Sequence, residues 1–249
     1  MRLLGYLLLF AVVGALGFGT YVSWTTEPLV EGSPYPLEGE SEPQRSQLYL
    51  FQDQTPMEYV LSQSPEKLLL SSVALLSELS GKTLRHQYGV MFETLSAEGN
   101  LLEARQFSFG AYIAEQVEVK GYADKVPEYF TLDANTPLAS PQNIYVDIGP
   151  EVKKVRVTLM FKGARVKNVG LRLYQKVQRN SRLEPIDVWS RLSRSQKQNL
   201  TEYYPFALSE LTDEERGNLA RFRWQPVLPL GVEGESYQLS ALFSVPKAA

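Results

Sequence analysis

The chain has 249 residues, with 25 Lys and Arg against 28 Asp and Glu, one His and no Cys. This length allows one or two domains. Without Cys the sequence cannot build disulfides, thiolate zinc sites or iron–sulfur clusters, and one His cannot supply a multi-histidine metal cage. We therefore predict no metal and no cofactor. A hydrophobic content of 44% is enough for a folded core.

The first apolar segment predicts a membrane anchor. Residues 3–24 contain no charged side chain, and as a helix they would span roughly 33 Å, enough for a hydrocarbon core of about 30 Å. Arg2 precedes this segment and only acidic residues follow it as far as Glu42. This asymmetry predicts a single-pass protein with a cytoplasmic N-terminus and a periplasmic or other extracytoplasmic body.

A cleaved signal peptide is the alternative interpretation of the same segment. The apolar stretch continues to Val22, past the small-residue positions where cleavage would occur, which favours an uncleaved anchor. Ala11, Ala15 and Gly19 recur every four residues. On a helix they form one small-residue face, which predicts packing against another membrane helix.

Residues 25–45 form a linker that is rich in Pro and Glu. Residues 46–180 then carry mostly strand signals. Runs at 88–95 and 101–112 are joined by a five-residue connector with Gly99 and predict a hairpin. Residues 155–161 and 169–177 alternate between apolar and polar side chains, as half-buried strands do. We predict a mainly β protein, an antiparallel β-sandwich of the jelly-roll or immunoglobulin-like type.

Two segments give competing signals. Thr55-Pro56-Met57-Glu58 is typical of a helix start. Residues 65–80 follow a similar Ser-Pro-Glu pattern, yet their Leu-rich run fits a buried strand equally well. Periodicity alone does not separate these two possibilities for 65–80.

Residues 181–249 change character and predict a short helical segment that returns to the sandwich by a final strand. Residues 185–192 are a helix candidate, and capping-box patterns occur at 193–196 and 212–215. The second box predicts a helix that carries Leu219 and Phe222. Residues 237–243 alternate loosely and predict the last strand.

Positive charge is concentrated in one part of the chain. Residues 152–197 carry 13 basic and 2 acidic side chains, whereas residues 1–151 carry 8 and 19. The polar faces of the two alternating strands hold Lys154, Arg156, Arg172, Tyr174 and Lys176. If these strands are neighbours, they form one basic face suited to an anionic ligand such as an acidic polysaccharide, a lipid head group or an acidic protein. The alternative is an ordinary solvated face. Nucleic acid is not an expected partner outside the cytoplasm.

Signals for catalysis are weak. His86 is the only imidazole, and no G-x-S-x-G motif is present to place a nucleophilic Ser. No local pattern selects two carboxylates for glycoside hydrolysis. Trp224 could stack on a sugar or pack the helical segment onto the sandwich. We assign no catalytic residue.

The sequence therefore predicts a non-enzymatic, membrane-anchored accessory or adaptor subunit of an envelope complex, with other subunits of that complex as partners. The alternative is an acidic-glycan-binding module that uses the basic strand face, with Trp224 as a further candidate for sugar stacking. A carboxylate-dependent glycan hydrolase is a third possibility.

Overall fold

The computed structural model describes residues 43–53, 55–62, 65–79, 81–119, 124–179, 182–201 and 209–245. All of them belong to one unit of the chain, Pro34–Ala249. The predicted anchor, with Ala11, Ala15 and Gly19, and nearly all of the predicted linker lie outside the described residues. Within the described residues, no helix has the length and apolar character needed to cross a membrane.

Strands dominate this part of the chain. They are β1 (Gln44–Phe51), β2 (Met57–Val60), β3 (Lys67–Leu76), β4 (His86–Leu95), β5 (Leu101–Ala111), β6 (Gln116–Val117), β7 (Val126–Pro127), β8 (Tyr129–Phe130), β9 (Gln142–Asp147), β10 (Lys154–Lys162), β11 (Val166–Gln178), β12 (Phe222–Val227) and β13 (Tyr237–Ser244). Three short helices lie between β11 and β12: α1 (Pro185–Arg191), α2 (Arg194–Thr201) and α3 (Asp213–Ala220).

The strands form two main antiparallel sheets. The larger has the order β8-β13-β1-β11-β3-β9, with β12 also paired to β11, and the smaller has the order β2-β10-β4-β5. The predicted hairpin is β4 and β5, and the predicted last strand, β13, pairs along the whole of β1. The prediction of a mainly β, antiparallel protein is confirmed. Its finer assignment to a jelly-roll or immunoglobulin-like topology stays a prediction.

One hydrophobic core joins the inner faces of the two sheets. Leu70, Leu171 and Leu173 come from the larger sheet, whereas Phe92 and Val157 come from the smaller one, and all five are almost completely buried. The alternation of β10 and β11 has the expected cause, because Val155 and Val157 of β10 and Leu171 and Leu173 of β11 point into this core. It ends on β10 at a register shift after Leu159, so that Phe161 is 43% exposed.

The larger sheet also buries part of its outer face. Leu48, Val73 and Leu242 belong to a second, smaller apolar cluster on that side. Gly170 of β11 lies directly beneath Leu48, where a Cβ atom would come within 2.6 Å of the Leu48 side chain. The close contact between these strands therefore requires a residue without a side chain at position 170.

Both ambiguous segments are strands. The predicted helix start at 55–58 is wrong: residues 57–60 form β2, in which Met57 and Tyr59 point into the core. The Leu-rich run within 65–80 is β3, which pairs with both β11 and β9. In each case, strand pairing and burial of apolar side chains in the core outweigh the local helix-start signals.

The helical segment has a small core of its own. Val188 and Trp189 of α1 pack with Ala220 of α3. The predicted capping box is present at α3, where the Thr212 side chain and Glu215 accept each other's backbone N–H groups. Phe222 lies outside this helix, as the first residue of β12, because α3 ends at Ala220.

We predict that Gly170→Ala lowers the free energy of unfolding by about 1–3 kcal/mol, since the added methyl group overpacks the contact with Leu48. The matched control is Gly81→Ala, where no atom lies within 4 Å of the added Cβ. The control should change stability by less than about 0.5 kcal/mol. Urea denaturation measures both, and equal effects would contradict the close packing at Gly170.

Candidate functional site

The predicted basic residues fall in two separate sheets. Lys154 and Arg156 lie on β10, which pairs with β2 and β4 in the smaller sheet. Arg172, Tyr174 and Lys176 lie on β11, which pairs with β1, β3 and β12 in the larger sheet. The condition that these two strands are neighbours is therefore not met, and the five side chains do not form one face.

In the smaller sheet, Arg156 forms ion pairs within the fold. The Arg156 guanidinium lies 2.8 Å from the Glu58 carboxylate and 3.8 Å from that of Glu93. Glu58, Arg156 and Glu93 are direct cross-strand neighbours. Opposite charges in such positions stabilise the sheet and cancel each other, which leaves little attraction for an external anion.

The larger sheet, in contrast, has a groove on its outer face, and we call it the β11 groove. Its volume is about 350 Å³, within the usual range for small-ligand sites. Residues from four strands and α2, and Arg179 directly after β11, line it: Leu69, Ser71, Asn143, Tyr145, Arg172, Tyr174, Arg179, Gln196, Leu200, Arg223 and Trp224. Three residues selected from the sequence, namely Arg172, Tyr174 and Trp224, thus meet in one cavity.

Strand register explains this arrangement. Arg172 lies opposite Ser71, which in turn lies opposite Asn143. In the next row, Tyr174 lies opposite Leu69, and Leu69 opposite Tyr145. Side chains that face each other across neighbouring strands share one side of the sheet, so these rows form the floor of the β11 groove.

Aromatic rings form one side of the groove. The rings of Tyr145 and Trp224 meet edge to face with their centroids 5.4 Å apart. The Arg172 guanidinium lies 5.1 Å from the centre of the Tyr174 ring. Trp224 is half-buried on strand β12 rather than in a loop, and it contributes to the groove wall.

Arg172 has an unusual electrostatic environment. Burial lowers the pKa of its guanidinium to about 10, so the side chain still carries its charge at neutral pH. No carboxylate occurs among the described lining residues of the groove. The Arg172 cation contacts the Tyr174 ring, and Tyr129 and Tyr49 oppose the lowering of its pKa only in part. It lines a cavity that can admit an anion.

Two further arginines add to the positive potential. Arg179 donates hydrogen bonds to the carbonyl oxygens of Ala220 and Phe222, which hold its guanidinium at the junction of α3 and β12. Arg223 is exposed at the groove wall. Lys176 lies beside the groove, 4.5 Å from the centre of the Phe222 ring, and burial lowers its pKa.

Sequence reasoning missed Asn143, Tyr145, Arg179 and Arg223 as lining residues. Asn143 and Tyr145 alternate with core residues on β9, a signal that marks them as outward-facing but does not reveal their neighbours. Strand β12 was not predicted, because its Pro226 indicated a loop. Pro226 is tolerated at this position because, within the described residues, β12 pairs only with β11 and is therefore an edge strand.

His86 and two of the acidic residues have defined surroundings in the described structure. His86 is buried at the start of β4, where burial and then the charge of Arg165 lower its pKa. The carboxylate of Glu103 pairs with Arg105, and that of Asp147 pairs with Lys67. The described residues contain no group of three potential metal-binding side chains.

Comparison of this chain with protein-family models, curated proteins and solved structures finds no match.

We predict opposite stability effects for the same substitution in the two sheets. Arg172→Met keeps the length of the side chain and removes a partly buried charge without a carboxylate partner, so the free energy of unfolding should rise by about 1 kcal/mol. Arg156→Met removes an ion pair and should lower it by about 0.5–1 kcal/mol. Urea denaturation of both variants tests this, and a loss of stability in Arg172→Met would contradict our description of its environment.

Proposed function

We propose that this protein binds acidic carbohydrate through the β11 groove. The observation that carries the proposal is the partly buried Arg172, which lines a cavity of about 350 Å³ without a carboxylate among its described lining residues. An anionic ligand group would supply the missing counter-charge and accept charge-assisted hydrogen bonds from this guanidinium. Binding would therefore offset the free-energy cost of burying the Arg172 charge in the free protein.

The remaining lining residues support a sugar as the anion carrier. Tyr145, Tyr174 and Trp224 offer aromatic surface for the apolar face of a pyranose ring. Ser71 and Asn143 offer hydroxyl and amide groups that can hydrogen-bond sugar hydroxyls. A lipid head group or a small inorganic anion would use the arginines but would leave the rings without a role.

The chemistry of the groove supports binding rather than turnover. Glycoside hydrolysis needs two carboxyl groups that flank the scissile bond, and none occurs among the described lining residues. The proposed class of ligand is therefore a uronate-containing polysaccharide that is held and not cleaved.

From the sequence we infer that this module lies outside the cytoplasm. Residues 3–24 and the linker that follows would hold the groove outside the cytoplasmic membrane, where acidic polysaccharides occur. The accessory or adaptor role in an envelope complex is the second candidate function, and this same uncharged segment, with its small-residue face, favours it.

We expect the detergent-solubilised full chain to bind alginate, a polymer of uronates, and not neutral dextran, as measured by isothermal titration calorimetry. Affinity should fall as salt is raised, because the attraction is partly ionic. Arg172→Met should weaken binding by about tenfold or more, the usual effect of losing a hydrogen bond to a charged group. Trp224→Ala should also weaken it by about tenfold.

The matched control for the charge is Arg156→Met, which changes the same residue type in the other sheet and should leave alginate affinity unchanged. Equal loss in Arg156→Met and Arg172→Met would place binding outside the β11 groove. Equal binding of dextran and alginate, or no binding of alginate by the folded wild-type protein at low salt, would overturn the proposal.

The adaptor role has a separate test. Affinity purification of the full chain from gently solubilised native membranes, followed by mass spectrometry, should recover other membrane proteins in stoichiometric amounts. The control is a chain in which Ala11, Ala15 and Gly19 are all changed to Leu, which blocks close helix contact and should lose those partners. A single 28.1 kDa species from the wild type would contradict the adaptor role.

A further inference from the structure

Strand β5 forms one edge of the smaller sheet. It is 11 residues long and, within the described structure, forms ladder pairs only with β4. Its first four residues are exposed, including the apolar side chains of Leu101 and Leu102, which are 57% and 43% exposed. Within the described structure, the backbone groups on the other side of residues 101–107 have no ladder partner, and we infer that they can pair with another strand.

Natural edge strands usually carry features that prevent such pairing. These features include Pro, Lys, bulges and short length. Strand β5 contains neither Pro nor Lys. Its ladder with β4 is continuous from His86–Ala111 to Thr94–Glu103, and one register shift follows at Leu102, near the start of the strand. Its two charged residues are Glu103 and Arg105, which are bonded to each other at 2.6 Å.

We propose that β5 pairs antiparallel with β5 of a second copy of this chain, about a two-fold axis at Ala104. In this register Glu103 of each copy lies opposite Arg105 of the other, so two pairs of opposite charges form across the interface. The two smaller sheets join into one continuous sheet, as in other cases of strand addition.

The charges on β5 favour a second copy of this chain as the partner, and they also favour one register of the pairing. Moving the axis by one residue places Glu103 opposite Glu103 or Arg105 opposite Arg105, and like charges directly across a strand pair are destabilising. The same surface on both copies forms the contact, so the assembly closes as a dimer. A second copy supplies this matched sequence, which an unrelated strand does not.

The absence of Cys in the sequence allows a direct test by single-cysteine cross-linking. In full-length Ala104→Cys, the two thiols face each other on the axis at the spacing of cross-strand neighbours, within reach of a disulfide. Mild oxidation should convert most of the protein to a covalent dimer. The control, Gln106→Cys, is also exposed on β5, but its two copies lie about 13 Å apart along the strands, beyond the roughly 7 Å limit for a disulfide.

Charge exchange supplies an independent measurement. Glu103→Arg places cations opposite each other and should shift the chain from dimer to monomer in light scattering after gel filtration. The double variant Glu103→Arg with Arg105→Glu restores opposite charges and should restore the dimer. Thermal unfolding verifies that each variant is folded.

Equal cross-linking of Ala104→Cys and Gln106→Cys would overturn the proposal, because it would indicate random collision. Absence of a cross-link in Ala104→Cys would also overturn it. A dimer that survives Glu103→Arg would assign association to another surface, such as the predicted membrane helix. None of these results depends on whether the β11 groove binds carbohydrate.

Discussion

The burial of one face of β11 determines both the core and the candidate site. Val169, Leu171 and Leu173 are almost fully buried between the sheets, and their positions set the register of β11 against β3. Because side chains alternate along a strand, this same register places Arg172 and Tyr174 on the outer face. A slip of one residue would exchange the two sets and bury a guanidinium in the core. The hydrophobic core therefore fixes the geometry of the β11 groove.

The outer face of β11 is divided between two neighbours, and this division creates the groove. Strand β1 pairs with β11 at Gly170 and Leu171, where Leu48 covers the glycine. From Leu173 onward the neighbour is β12, which brings Trp224 to the wall. The helices inserted between β11 and β12 add α2 as a further wall. One part of this face is thus apolar and covered, whereas the next part is cationic, aromatic and open.

The two sheets differ in how the charges of their arginine side chains are balanced. In the smaller sheet, Arg156 lies between Glu58 and Glu93, so its charge is balanced inside the fold. In the larger sheet, Arg172 is desolvated beside aromatic rings and has no carboxylate among the described groove residues. Such an arrangement reduces stability and is typical of a binding site, where a ligand completes the electrostatics. The dimer contact that we propose at the β5 edge, by comparison, depends on Glu103 and Arg105, whose charges are already paired within one chain.

The sequence alone determined the features that local patterns encode: the mainly β composition, the hairpin β4–β5, the outward position of Arg172 and Tyr174, and the capped start of α3 at Thr212. The physical reason is that alternation and capping depend on residues close in sequence. Only the tertiary structure decided that residues 67–76 are a strand, that β10 and β11 belong to different sheets, and that Tyr145 and Trp224 meet. These outcomes depend on which strands become neighbours. Long-range packing of buried faces determines which strands pair, and the periodicity of a strand does not indicate which strand it pairs with.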